Sequence, residues 1–151
     1  MNLAAFDGKA EARLVDGLRQ NAEPIVSLVA EDDENIVGHI LFSPVSHSDD
    51  ADLKLMGLAP MAVSPERQKQ GIGSRLIEAG LEHCRVMGVA AVVVLGHPNY
   101  YPRFGFTSSS KFGIASEYDV PEEVFMVLEL QEGALGGKPG RVHYHREFSK
   151  L

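Results

Sequence analysis

Apolar and polar positions follow two different periods along the chain, and the switches between them predict its elements. Across residues 10–20, Leu14, Val15 and Leu18 share one helical face, while Glu11, Arg13, Asp16 and Arg19 fall elsewhere. This stretch is expected to be an amphipathic helix. Pro24 sits in the break that follows. Residues 25–30 and 36–42 are apolar runs separated by the acidic segment 31–35, the pattern of an antiparallel hairpin. Residues 46–52 are polar and read as a loop. The run 55–63 reads as a third strand interrupted by Gly57 and Pro60. Proline has no N–H to give a ladder, so Pro60 implies a bulge or a strand pulling away from its neighbour.

From about Gly71 to Met87, Leu76, Ile77, Gly80, Leu81 and Cys84 form an apolar stripe, with Arg75, Glu78, Glu82 and Arg85 facing outward. Gly88 fits the stop of this second helix. Residues 90–95 are continuously apolar and β-branched, as expected of a central strand covered on both faces. A turn at residues 97–102 leads into a very short helix, and Phe104, Gly105 and Phe106 return the chain to the sheet. Residues 107–110 read as a loop. Residues 123–130 and 141–148 read as the last strands, joined by a flexible connection at 133–140. The order predicts an α/β fold with a mixed sheet, in a single domain spanning residues 1–151.

A chain of 151 residues can bury enough surface to fold without disulfides or metal. Cys84 is the only cysteine, which excludes an internal disulfide framework and suits a reducing compartment. No apolar run reaches the length of a membrane span, and no charged segment followed by an apolar stretch opens the chain. We therefore expect a cytoplasmic protein without membrane contact. The net charge of −7 argues against general nucleic-acid binding and is compatible with a cationic substrate such as an amine.

The most informative segment runs from Val63 through Gln68, Lys69, Gln70, Gly71, Ile72, Gly73 and Ser74 to Leu76. A strand ends, a polar turn follows, and two glycines open an amphipathic helix. The first turn of a helix has unpaired N–H groups and a positive dipole end, and glycine lets that backbone approach a phosphate closely. Arg67, Lys69 and Arg75 add positive charge. The chemistry indicated is binding of a pyrophosphate; the plainer reading is a glycine-rich helix start beside a solvated basic turn. The segment lacks the Gly-Lys-Ser/Thr ending of a P-loop and the third glycine of a dinucleotide fingerprint.

The residues Gln68-Lys69-Gln70-Gly71-Ile72-Gly73 resemble the Gln/Arg-x-x-Gly-x-Gly/Ala signature of GNAT N-acetyltransferases. Tyr100-Tyr101-Pro102-Arg103-Phe104-Gly105-Phe106 resembles that superfamily's second landmark, a tyrosine on a short helix before Gly-Phe. The two stand in the expected order with an apolar strand between them. The segments 57–63 and 96–98 are similar to its YhbS-like group. The resemblance implies a mainly antiparallel, twisted sheet flanked by helices. It implies acetyl-coenzyme A as co-substrate and a primary amine of a small molecule or peptide as acceptor. The pyrophosphate loop would be Gln68 to Ser74, and main-chain N–H groups of Met61, Ala62 and Val63 on a splayed strand would face the oxyanion. Tyr101 would be the acid toward the thiolate, and Asn99 would contact the pantetheine arm. Tyr100 reads as packing.

The general base is less readable. His97 ends the central strand near the expected site and has a suitable solution pKa; equally, it bonds locally in a turn. His47 and Glu117 are poorer candidates, and a water relay needs no base. His143 and His145 share a strand face, but two histidines without a third ligand are more often surface residues, and no metal is expected. Cys84 reads as core. Family members usually begin with a strand and a complete first helix, whereas this chain begins near the end of that helix region, around Asn2 to Phe6. We expect the usual first strand to be missing, the strand at 25–30 to be a sheet edge, and a homodimer, or else a charged loop or the tail, to cover it. A non-catalytic coenzyme A sensor on the same fold and a plain nucleotide-phosphate binder are the competing readings.

Overall fold

The computed structural model describes residues 9–21, 24–33, 35–145 and 148. The region around Asn2 to Phe6, where the expectation about the first strand falls, lies outside them. The chain forms α1 (Lys9–Asn21), β1 (Val26–Asp32), β2 (Asn35–His47), β3 (Asp50–Val63), α2 (Ile72–Val86) and β4 (Ala91–Leu95). A one-turn helix (Tyr101–Phe104) precedes β5 (Thr107–Ser108), β6 (Ile114–Ser116), β7 (Phe125–Glu129) and β8 (Gly140–His143). The sheet runs β5-β7-β4-β3-β2-β8-β6, with β1 also on β2. Among the described residues, only β3–β4 and β6–β8 are parallel; the other pairs are antiparallel, as the mixed, mainly antiparallel expectation requires.

Each helix buries one stripe against one face of the sheet. Leu76, Ile77, Leu81 and Cys84 of α2 pack on Ile40, Phe42, Met56, Leu58, Val92 and Val94. Full burial of a side chain of this size is worth about 1.5–3 kcal/mol relative to exposure. Gly80 belongs to that stripe because a Cβ there would stand 2.1 Å from Phe42. Leu14 and Leu18 of α1 cover Leu41 on the opposite face, and Val15 covers Ala62. Cys84 has no exposure and its thiol is pushed up to about 12 by burial, so it is core, as its place on the stripe indicates.

Four sequence expectations need correction. Residues 46–52 are not a loop: β2 runs to His47 and β3 resumes at Asp50, so only Ser48 and Asp49 turn. Polarity there reflects a hairpin end. The buried His47 holds it, with Nδ1 accepting from the Asp49 N–H at 3.0 Å and Nε2–H donating to the Lys138 carbonyl at 2.9 Å. Residues 107–110 hold β5 and the start of a one-turn helix. The three-residue β6 was not anticipated; so short a strand carries too little alternation to read. The last strand ends at His143, not residue 148.

Candidate active site

The strand β3 belongs to two ladders and leaves one of them. It pairs with β4 at Leu55↔Ala91, Met56↔Val92 and Gly57↔Val93, and no further. Both strands continue, β3 to Val63 and β4 to Leu95, so they diverge as a V. On its other side β3 stays with β2 through Gly38↔Val63, with an irregularity opposite Ile40 to Phe42 that places Ala59 and Pro60 in a bulge. The expected role of Pro60 is thus met: the bulge and the departure from β4 coincide. Among the described residues, the backbone groups of residues 58–63 that face β4 have no strand to pair with.

At the open end of the V, the chain turns through a short helix (Pro65–Arg67) into α2. Lys69 lies in the left-handed region at φ 66°, and Gly71, at φ 82°, forms the N-cap of α2. A side chain at Gly71 would be strained by about 1–2 kcal/mol. No side chain caps α2, and its ladder starts only with the Arg75 N–H to the Gly71 carbonyl at 3.1 Å. The N–H groups of Ile72, Gly73 and Ser74 precede that bond and point out of the helix end. The Gln68 amide closes the turn on the Val63 carbonyl at 3.1 Å.

These groups line a cavity of about 590 Å³, together with Met61, Ala62 and Val63 of β3 and with Arg67, Lys69, Tyr100 and Arg103. A Cβ on Gly73 would lie 3.4 Å from the Tyr100 hydroxyl, that is, inside the cavity. Of the residues anticipated for the cofactor, Met61, Ala62, Val63, Gln68, Lys69, Gly71, Ile72, Gly73 and Ser74 meet here. Gln70 does not. The left-handed turn at Lys69 aims it away, and it lines a neighbouring cavity between β1 and α2 with Arg75. Asn99 is exposed and lines neither.

Tyr100 and Arg103 are the contributors that sequence reasoning missed. The Tyr100 hydroxyl is 3.1 Å from Ser74 Oγ, so it joins the short helix to the start of α2. The Arg103 guanidinium lies 4.5 Å from the Tyr100 ring centroid, and its Nε donates to the Tyr100 carbonyl at 2.9 Å. A cation therefore stands opposite the basic turn. The signal was present in Tyr100 and Arg103 being three apart on a helical turn, beside the landmark tyrosine.

A second cavity, of about 680 Å³, opens where β3 and β4 part. Ala59, Pro60 and Met61 line one side and Leu95 and Tyr101 the other; Tyr118, Tyr144, Phe148, Leu14 and Leu58 complete it. Met61 is common to both cavities. Tyr101 is buried, and its pKa is pushed up to about 12 by burial and then by Tyr100. Its ring lies against the backbone of Gly96, where a Cβ would be 2.3 Å from Cε2. The Tyr100 and Tyr101 N–H groups both reach the His97 carbonyl, at 3.1 and 3.4 Å. His97 thus serves the turn with its backbone, while its side chain is exposed and lines neither cavity. Glu117 accepts from the Tyr144 N–H at 2.6 Å and stands 3.6 Å from His143. Among the described residues, no three of His, Cys, Asp and Glu group as metal ligands.

Over residues 4–106 the sequence matches the Acetyltransferase (GNAT) family. The chain belongs to this family. It is 38% identical to the Escherichia coli (strain K12) N-acetyltransferase YhbS over 148 residues, covering 97% of this chain and 88% of YhbS. It is 46% identical to the N-acetyltransferase YjhQ of the same strain, over 79% of this chain and 68% of YjhQ. The crystal structure of E. coli YhbS in complex with CoA matches with a TM-score of 0.90 and 37% identity, over 97% of this chain and 82% of that one. A GNAT family acetyltransferase from Brucella melitensis, crystallised with acetyl-CoA, matches with a TM-score of 0.75 and 36% identity over 95% of this chain and 81% of that one. The GNAT fold and the acyltransferase class expected from the two landmarks are therefore shown.

Proposed function

We propose that this GNAT protein moves the acetyl group of acetyl-CoA to a primary amine by direct attack on the thioester. The observation that carries the reading is the V between β3 and β4. It links a cavity built for an anion with a cavity walled by a buried tyrosine. Uncapped N–H groups of α2, Arg67, Lys69 and Arg103 suit a pyrophosphate, with helix dipole and side-chain charge of one sign. The pantetheine arm would then follow β3 past Met61 and present the thioester beside Tyr101. Crystal structures of two relatives contain CoA or acetyl-CoA, which supports the same occupant here.

The reaction balances without a further reagent. The amine nitrogen attacks the thioester carbonyl carbon, a C–N bond forms, and the C–S bond breaks. The nitrogen gives up one proton and the sulfur gains one, yielding an N-acetyl amide and free thiol. The main-chain N–H groups of residues 61–63 that face away from β2, toward the lost β4 ladder, would be the donors for the oxyanion, an effect worth a few kcal/mol at such sites. Tyr101 is the donor toward sulfur.

Two measurements test this. Calorimetry should show acetyl-CoA binding that Gly73→Glu weakens at least about tenfold through clash and charge, with the fold intact by circular dichroism. Unchanged affinity would remove the pyrophosphate site. Thiol release in the presence of an amine should follow enzyme concentration. Binding without release from any amine would leave the sensor reading in its place.

A further inference from the structure

The cavity beyond Tyr101 differs from the pyrophosphate cavity in one respect that bears on the acceptor. Where the first is lined by Arg67, Lys69 and Arg103, none of the described residues lining the second carries a charge. Its outer wall is a run of aromatic rings. Tyr118 and Tyr144 lie 5.6 Å apart between centroids, and Tyr144 and Phe148 lie 5.3 Å apart. The wall is held from behind. Glu117 accepts from the Tyr144 N–H, Ser116 Oγ accepts from the Tyr118 N–H at 3.0 Å, and Gly57 lets the Tyr144 ring approach to where a Cβ would be 2.9 Å away. Glu117, one of the two carboxylates that flank Tyr118, is thus already engaged by the Tyr144 N–H and stands beside His143.

We propose that the acceptor is a small monoamine with an apolar or aromatic body, which packs against Tyr118, Tyr144 and Phe148 and presents its nitrogen toward Tyr101. The proposal rests on the acetyl-transfer reading above and adds the class of amine. The volume suits a small ligand, since ligand cavities commonly run from about 300 to 1,000 Å³.

The chemistry follows from the lining. An ammonium arriving at the cavity meets aromatic rings that attract it, and none of the described residues lining it is a carboxylate that would hold it as an ion pair. Removal from water lowers its pKa and favours the neutral form, the form that attacks. The cavity therefore does part of the work of the base that the sequence does not supply. A polyamine or aminoglycoside would have to bring further ammonium groups into the same apolar space without counter-ions. Each would carry an uncompensated desolvation penalty. The net charge of −7 draws cations toward the whole molecule, but the cavity selects among them.

The test measures kcat/KM for thiol release with acetyl-CoA and, in turn, phenethylamine, spermidine, kanamycin and a short peptide with a free N-terminal alanine. Phenethylamine should lead each of the others by at least about tenfold. Tyr118→Glu places a carboxylate at the rim of the wall, at a side chain that is 37% exposed, and should narrow the phenethylamine-to-spermidine ratio by about tenfold. A lead for spermidine, kanamycin or the peptide, or equality among the four, overturns the apolar class while leaving acetyl transfer standing. An unchanged ratio in Tyr118→Glu overturns the assignment of this cavity. Failure of all four amines with a protein that binds acetyl-CoA overturns this inference, while acetyl transfer itself falls only if no amine gives thiol release.

Discussion

The hydroxyl of Tyr101 has a pKa pushed up to about 12, first by burial and then by the neighbouring Tyr100. A thiol titrates near 8.5, so complete proton transfer from this phenol to a thiolate is uphill by about 5 kcal/mol. Burial thus makes Tyr101 a poor acid at equilibrium and a durable hydrogen-bond donor. In the proposed reaction it would stabilise charge developing on sulfur, and the proton the thiol finally keeps would come from the amine nitrogen through solvent. Tyr101→Phe removes the donor and keeps the ring, and should lower kcat by about a hundredfold, as loss of one preorganised hydrogen-bond donor does, with acetyl-CoA affinity near normal. Wild-type turnover in that variant would mean the ring merely packs. The raised pKa also sets a pH expectation. In the proposed reaction the active form would be the protonated phenol, so raising its pKa would extend activity upward in pH. The kcat profile should stay level through about pH 10, where a tyrosine of ordinary pKa would already be half ionised. A fall centred near pH 10 would contradict the burial argument.

At the scale of elements, the site depends on where strands stop pairing. The loss of the β3–β4 ladder after Gly57↔Val93 and the helix start at Gly71 are separate features, joined because β3 ends where the turn into α2 begins. Gly96 is the joint on the other arm. It ends β4, its N–H donates to the Val124 carbonyl at 2.9 Å, and its missing side chain leaves room for the Tyr101 ring. Gly96→Ala should displace that ring. The expected result is a loss of about 1–3 kcal/mol in stability, as for other overpacked sites. Turnover should fall toward the Tyr101→Phe level, while acetyl-CoA binding at the far arm stays within a few-fold of wild type by calorimetry. A loss confined to acetyl-CoA affinity would show that the two arms are not separable in this way.

Much of this arrangement was legible because it rests on local chemistry. Pro60 announced the break in β3, Gly71 and Gly73 announced the helix start, and the continuous apolar run announced β4 as the covered strand. What was not legible depends on contacts far apart in sequence. His47 reads as a loop histidine until Lys138 is brought to it across 91 positions. Tyr100 reads as packing until the approach of Ser74 puts its hydroxyl at the cavity. The aromatic wall joins Tyr118 to Tyr144 through the parallel pairing of β6 with β8, which no periodicity encodes.

At the scale of the whole molecule, one buried histidine ties three elements together and sets a limit on acid stability. His39 on β2 is 1% exposed, with Ala62 of β3 opposite it and Val29 of β1 on the other side. Its Nε2 lies 3.3 Å from Arg19 Nη2 of α1 and 3.3 Å from Ser27 Oγ of β1, while Arg19 also donates to Ser27 at 3.0 Å. Nε2 therefore accepts from the guanidinium, and the ring is neutral. Protonation would place an N–H against that cation and charge a buried group. Burial first, and Arg19 second, accordingly lower its pKa from 6.5 to about 4. The sign follows directly. Between about pH 4 and 6.5 the unfolded chain binds a proton here that the folded chain does not, so stability rises with pH across that window. The contribution is complete above the unfolded value and is lost as pH falls through the folded one, an amount on the order of 3 kcal/mol. His39→Gln keeps an acceptor for Arg19 and does not titrate. Urea unfolding at intervals from pH 7 to 4 should show wild-type stability falling more steeply than that of His39→Gln, with a difference in slope approaching 1.4 kcal/mol per pH unit near the middle of the window. Parallel curves for the two proteins would mean that His39 titrates alike in both states, and that the joint between α1, β1 and β2 tolerates its charge.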